Sequence, residues 1–247
     1  MALTHQQSLY VCYGAASVGW LVASRVWSTL WPKPSPPRFA RPWREVAYGL
    51  IACAGVVAIG QLYQRAWHFS AVGTMAPVAG AVNHFLIFSP IGLLLLIRGQ
   101  TLDTAWVPRN RILTRVAIGL GLAGIAIFAY CVSRGRSGEF FPLIGRVYRF
   151  DRLEHLAQVF FVDVAIAVMI VRLSAALRRP WLAAILVGAM FAAAHIPALI
   201  GQGASSADLL RLVWDSLLFT AVVLIAQRSG DIWWLWCVHF AMDMTQF

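Results

Sequence analysis

Residues 113–133 read LTRVAIGLGLAGIAIFAYCVS, and this stretch decides the class of the fold. It carries one charged side chain, Arg115, and it is long enough to cross a bilayer core, which takes about 20 apolar residues in a helix. Similar runs recur along a chain that is 60% hydrophobic and only 12% charged, with a mean hydropathy of +0.71. A soluble domain cannot bury this much apolar surface, so the composition predicts an integral membrane protein.

The length of the apolar runs predicts an all-α protein, because a membrane β-barrel would show alternating segments of about ten residues. We expect a polytopic transmembrane helix bundle with seven or eight spans and a single transmembrane domain over residues 1–247. The bilayer would be its first partner, and the bacterial inner membrane its expected location. The predicted spans are 8–30, 46–63, 80–98, 113–133, 154–173, 181–200, 209–227 and 231–247.

The net charge of +10 comes almost entirely from arginine. No soluble basic face is visible, so we expect no nucleic-acid partner and attribute the charge to loops anchored on the cytoplasmic side. The predicted spans do not place all the basic loops on one side. Either a span is miscounted or one loop lies along the lipid headgroups. The basic loops are 32–45, 99–112, 178–180 and 134–152.

The four cysteines lie within apolar runs and show no CxxC spacing, which indicates packing residues rather than a disulfide or metal framework. They are Cys12, Cys53, Cys131 and Cys237. The first apolar run follows MALTHQQ, which lacks the basic residues of a signal peptide. We therefore expect a retained first span.

Ionisable side chains are costly inside a bilayer and usually face the bundle interior or water. They concentrate in the last ninety residues, so we expect the site in the C-terminal half, 151–247. The candidates there are Asp163, His195, Asp215, His239 and Asp243, and Glu154, His155 and His84 lie at span edges or earlier. Asp215 is expected to pair with Arg211 or to be hydrated.

A metal site is predicted from two segments. His239 and Asp243 are four residues apart and share one helical face. His195 follows the small residues 192–194, which allow a neighbouring helix to approach closely. His195, His239 and Asp243 would make a reasonable ligand set for Zn²⁺. The alternative is that the histidines pack through hydrogen bonds or relay protons.

The same residues carry a resemblance to a known family. Phe191-Ala-Ala-Ala-His195 and His239-Phe-Ala-Met-Asp243 resemble motifs of the CAAX prenyl endopeptidase and bacteriocin-processing family of intramembrane metalloproteases. The resemblance covers roughly 151–247, and residues 1–150 show no motif. It implies a zinc ion held by His195, His239 and Asp243, a substrate contact at Phe191, and cleavage of membrane-associated or prenylated peptides.

The sequence departs from the family at the expected Glu-Glu-xxx-Arg motif. At the corresponding spacing it reads Val162-Asp163, with Ala167 where the arginine would stand. The catalytic acid is then Asp163, which the spacing favours, or Glu154. Nine residues of helix place these two acids on opposite faces and about 13 Å apart along the axis, so they are not expected to act together.

Three functions are consistent with these residues. The first is a membrane-embedded zinc-dependent endopeptidase, in which the acid accepts a proton from the attacking water. The second is a family member without activity that serves as a membrane scaffold or partner-binding subunit. The third is a small proton-coupled transporter with a relay of carboxylates and imidazoles.

Overall fold

The computed structural model describes residues 3–31, 37–65, 68–201, 203 and 205–246, apart from the side chains of a few of them, including that of His195. Over this part of the chain the protein is all α-helical, as predicted, with short 3₁₀ turns between helices. The helices are α1 (His5–Val26), α2 (Pro42–Gln64), α3 (Ala76–Ile87), α4 (Ser89–Ile97), α5 (Ile112–Ser133), α6 (Phe140–Val147), α7 (Leu153–Leu177), α8 (Pro180–Gly201), α9 (Ser206–Ser229) and α10 (Ile232–Asp243).

Local sequence signals set several of the helix ends. Thr4 begins α1 and Ser205 begins α9 with capping boxes, in which the hydroxyl accepts from the third helical N–H. Asp231 caps α10 by accepting from the N–H of Trp233. α7 ends at Arg178, whose φ of 54° is left-handed, and Pro180 opens the next helix.

The number of long apolar helices is lower than the seven or eight spans predicted. Five segments are long and apolar enough to cross a membrane, and α3 and α4 together make a sixth if their 45° bend lies within one span. The predicted span 231–247 fails on length, because the 12 residues of α10 extend only about 18 Å. In the predicted span 181–200, the apolar helical segment that was found, Pro180–Ala194, is shorter than the 18 residues required of a candidate span.

Contacts between chain segments that are distant in sequence define two ends of the bundle. At the end called here the clamp end, Trp31 Nε1 donates to Asp231 Oδ2 over 2.7 Å and the N–H of Ile232 donates to the carbonyl of Trp106. At the opposite end, called the cavity end, the N–H of Leu3 donates to the carbonyl of Ser133.

For the described residues, the order of the helices shows at which end of the bundle each basic loop lies. Two helical passes separate the loop before α2 from the loop before α5, and two more separate that loop from Arg178 and Arg179. The three basic loops therefore share the clamp end. The fourth basic loop, 134–152, lies at the cavity end and contains the short amphipathic helix α6. Of the two alternatives, the miscounted span is the one that the lower number of long apolar helices supports.

The shortest of the late helices, α10, lies at the centre of the bundle. Most of its side chains are buried, and it packs against α1, α5 and α7. Its approach to α5 depends on Gly119, where an added Cβ would lie 3.0 Å from the backbone carbonyl oxygen of Trp233. A helix this enclosed holds its polar side chains inside the protein rather than against lipid.

Candidate functional site

A histidine–aspartate pair, in which the aspartate is buried, joins the central helix to α7. His239 Nδ1 lies 2.8 Å from Asp163 Oδ1, and the Asp163 side chain is 2% exposed. Because the carboxylate accepts from Nδ1–H, the second ring nitrogen of His239, Nε2, remains available to another partner. The sequence predicted these residues for one site, but it did not predict that they bond to each other.

Asp163 keeps one oxygen without a partner. Its Oδ2 atom is buried and makes no hydrogen bond to any described residue. A buried carboxylate oxygen normally accepts at least one hydrogen bond, because an unsatisfied one costs about 1–3 kcal/mol or more. Asp163 Oδ2 can therefore accept a further hydrogen bond.

A second histidine–carboxylate pair lies one helical turn further along α10. Asp243 Oδ2 is 2.8 Å from His155 Nε2, which comes from the first turns of α7. The sequence noted His155 only as a residue at a span edge. Its role was missed because the pairing joins residues 88 positions apart, and no local pattern reveals such a contact.

A cavity of about 280 Å³ opens beside these pairs. Asp163, His239, Asp243 and Phe191 all contribute to its wall, so the structure brings together four of the predicted site residues. Most of the remaining wall is apolar, and Phe191 stacks on Phe219 with ring centroids 4.7 Å apart. An apolar cavity with a few convergent polar groups is the usual form of a small-molecule or peptide site.

Polar groups from α1 and α9 complete the cavity wall. Tyr13, a residue that sequence reasoning missed, lines it from α1, and the only sequence signal is a hydroxyl within an apolar run. Asp215 and Arg211 line it from α9. Asp215 Oδ2 lies 3.9 Å from Arg211 Nε, and its other oxygen accepts from Gln6. This is the loose surface pairing expected for Asp215.

The alternative acid, Glu154, lies apart from the cavity. Its Oε1 atom is 3.6 Å from His84 Nε2, and its side chain is half-exposed. It packs against Gly80, where an added Cβ would lie 2.4 Å from the Glu154 carboxyl group. Asp163 is thus the acid that shares a wall with His239.

The side chain of the predicted ligand His195 lies outside the described residues. Its backbone belongs to α8, one turn after Phe191, whose ring faces the cavity. No group of three or more histidine, cysteine, aspartate or glutamate side chains in the described part of the chain is arranged to hold a metal. The chemistry of the donors present is nevertheless suited to zinc, since imidazole nitrogen and carboxylate oxygen meet at one wall.

Comparisons of the chain with protein-family models, with curated proteins and with solved structures found no match. The resemblance to the intramembrane metalloproteases therefore depends on the two short motifs around His195 and His239.

Proposed function

We propose that this protein is a membrane-embedded, metal-dependent peptidase that cleaves membrane-associated peptides in the cavity beside α10. The observation that carries the proposal is the Asp163–His239 pair, both of whose residues line the cavity and in which Asp163 Oδ2 has no hydrogen-bond partner. A carboxylate that lines a cleft and keeps one oxygen without a hydrogen bond is a candidate catalytic group. The two family-like motifs support the proposal, because Phe191, His239 and Asp243, which belong to them, line the same cavity.

Each polar residue of the cavity has a separate role in the proposed reaction. Asp163 Oδ1 fixes the ring of His239, so that Nε2 of that ring points away from the carboxylate as a ligand. His239, His195 and Asp243 would hold zinc. Zinc, when bound, supplies Lewis acidity that polarises a peptide carbonyl and makes water acidic enough to attack near neutral pH. Asp163 is the proposed acid, which would accept a proton during attack on the peptide and return it to the leaving amine.

The substrate class follows from the cavity wall. The stacked rings of Phe191 and Phe219, with Leu218 and Val222, offer an apolar surface to a peptide side chain or to a lipidated residue. The cavity volume of about 280 Å³ accepts a short extended segment and excludes a folded domain. Membrane-associated or prenylated chain ends fit this description.

We further infer a multi-pass arrangement in a bacterial inner membrane, with the clamp end in the cytoplasm. The three basic loops at that end support this orientation under the positive-inside rule. The cavity then lies toward the opposite surface, because α9 begins there and contributes Arg211 and Asp215 to the wall.

The test uses the full-length protein in proteoliposomes loaded with zinc, with membrane-anchored fluorogenic peptides, farnesylated ones included, as substrates. The wild type should bind about one zinc per chain and cleave a subset of the peptides, and a chelator should abolish cleavage. His239→Ala should lose both zinc and cleavage, while the matched exposed variant His68→Ala should keep both.

Two results would overturn the proposal. One is a wild-type protein that binds no zinc and cleaves no peptide, which favours the scaffold hypothesis. The other is metal-independent, proton-coupled flux of a solute through the proteoliposomes without peptide cleavage, which favours the transporter hypothesis.

A further inference from the structure

Three arginines at the cavity end converge on a second, polar cavity of about 170 Å³. Arg134 and Arg136 follow the end of α5, and Arg146 comes from α6. Among the described residues of this wall, Glu139 is the single acid. Three guanidinium groups against one carboxylate leave an excess of positive charge in a small space.

The three arginines of this cavity differ in whether their charge is paired with an acid. Arg136 is paired with Glu139, with Nε and Nη2 each 2.7 Å from a carboxylate oxygen. Arg134 Nη1 donates to the carbonyl of Leu3 over 2.7 Å, and a carbonyl does not neutralise the charge. Arg146 makes no hydrogen bond and no ion pair with any described residue. Two guanidinium groups are therefore left for an anion.

The surroundings indicate which anion this is. α6 buries Leu143 and Val147 against the bundle and exposes Phe141. Tyr148 and Phe150, just after α6, are also exposed, with Phe150 61% accessible. Exposed aromatic rings beside arginines at the end of long apolar helices are typical of a segment lying in the membrane interface. At that depth the abundant anion is the phosphate of a lipid headgroup.

We propose that Arg134 and Arg146 bind the phosphate group of an anionic phospholipid, whose acyl chains lie beside Phe141 and Phe150, while Glu139 holds Arg136 in the same cavity wall. Guanidinium groups recognise phosphate through paired N–H donors, which a point charge such as lysine does not reproduce. The site is distinct from the cavity beside Asp163, and the proposal is independent of peptidase activity.

The bound lipid would also brace the end of the central helix. Thr245 lines the arginine cavity and lies two residues after Asp243. The turn Met244–Gln246 packs against α6. A phosphate held between α5 and α6 therefore fixes the segment that follows Asp243, and the folded protein should be stabilised by mass action as the lipid is added.

The experiment measures thermal unfolding of the full-length protein in detergent by tryptophan fluorescence, with no activity required. Short-chain phosphatidylglycerol is titrated against phosphatidylcholine and against inorganic phosphate. We expect phosphatidylglycerol alone to raise the apparent Tm. Arg146→Gln should weaken this effect about tenfold in lipid concentration, because the charge-assisted bonds to phosphate are lost. Arg146→Lys should restore only part of it.

The matched control is Arg152→Gln, which removes a charge from the same surface outside the arginine cavity. It should respond to phosphatidylglycerol as the wild type does. Equal stabilisation of wild type and Arg146→Gln by phosphatidylglycerol would overturn the site. Equal stabilisation of the wild type by inorganic phosphate would overturn its assignment to a lipid.

Discussion

Both ends of α10 hold buried charges, and they hold them in different ways. At the clamp end, Arg115 Nη1 lies 2.6 Å from Asp231 Oδ2, and both side chains are buried. Arg115 also donates to the carbonyls of Leu30 and Asn110, and Asp231 also accepts from Trp31 Nε1 and from the N–H of Trp233. Every polar atom of the two side chains has a partner.

At the other end of the same helix, the pair of His239 and Asp163 is incomplete. One oxygen of Asp163 has no hydrogen-bond partner, and the residue lines the cavity. A fully bonded network gives rigidity and a unique packing, whereas a partly bonded one reserves an atom for chemistry. The difference teaches that burial of charge alone does not identify a site; at Asp163 an unsatisfied oxygen occurs in a residue that lines a cavity, and this combination supports the proposal.

The largest effect is expected from Asp163→Asn. The amide carbonyl can still accept from His239, so the fold should be kept, but the side chain can no longer accept a proton. We expect the rate of peptide cleavage to fall about a thousandfold, the scale of a lost general base. The measurement is the initial rate in proteoliposomes. The exposed variant Asp151→Asn should cleave as the wild type does, and full activity of Asp163→Asn would refute this role for the acid.

The same chemical change at the clamp end should act on stability instead. Asp231→Asn leaves the buried charge of Arg115 without its counterion, and we expect the free energy of unfolding to fall by about 3–5 kcal/mol. Unfolding in mixed micelles with increasing SDS measures it. Adding Arg115→Met should recover part of the loss, and exposed Asp103→Asn should cost little. If Asp231→Asn lowers the free energy of unfolding by less than Asp163→Asn does, the proposed difference between the two ends of α10 is wrong.

The close approach of α5 and α10 gives a smaller effect. In Gly119→Ala the new methyl group meets the backbone of Trp233 and Trp234 at 3.0 Å, so we expect a loss of about 1–3 kcal/mol from overpacking. Gly121→Ala is the control on the same helix, because nothing lies within 4 Å of its added Cβ. It should be neutral or slightly stabilising. If both variants unfold alike, the two helices are not held by this contact.

The smallest effect is expected from Glu154→Gln. The carboxylate is half-exposed, faces His84 and lies outside the cavity wall. We expect the cleavage rate to change less than about twofold, since exposed ion pairs of this kind contribute little. Parallel rate measurements on Glu154→Gln and Asp163→Asn decide between the two acids that the sequence left open. A large loss in Glu154→Gln with little loss in Asp163→Asn would reverse our assignment.

The sequence alone predicts part of this picture. The apolar runs predict the helices, and the i, i+4 spacing places His239 and Asp243 on one face. The bond from His239 to Asp163 joins residues 76 positions apart and depends on how α7 and α10 pack. The span count was wrong because composition does not show where α10 stops. The buried contacts of Arg115 with Asp231 and of Arg172 with Gln100 were not predicted, because each joins residues that are far apart in the sequence.

A stack of indole rings links the first helix to the central one. Trp20 and Trp234 lie parallel with centroids 5.7 Å apart, and Trp31 meets Trp20 edge-on at 6.3 Å. Rings this close share their electronic excitation, so the ultraviolet circular dichroism spectrum should contain an exciton couplet from this trio. This contribution to the circular dichroism spectrum depends on the packing of α1 against α10, so it can be used to follow that packing without a label.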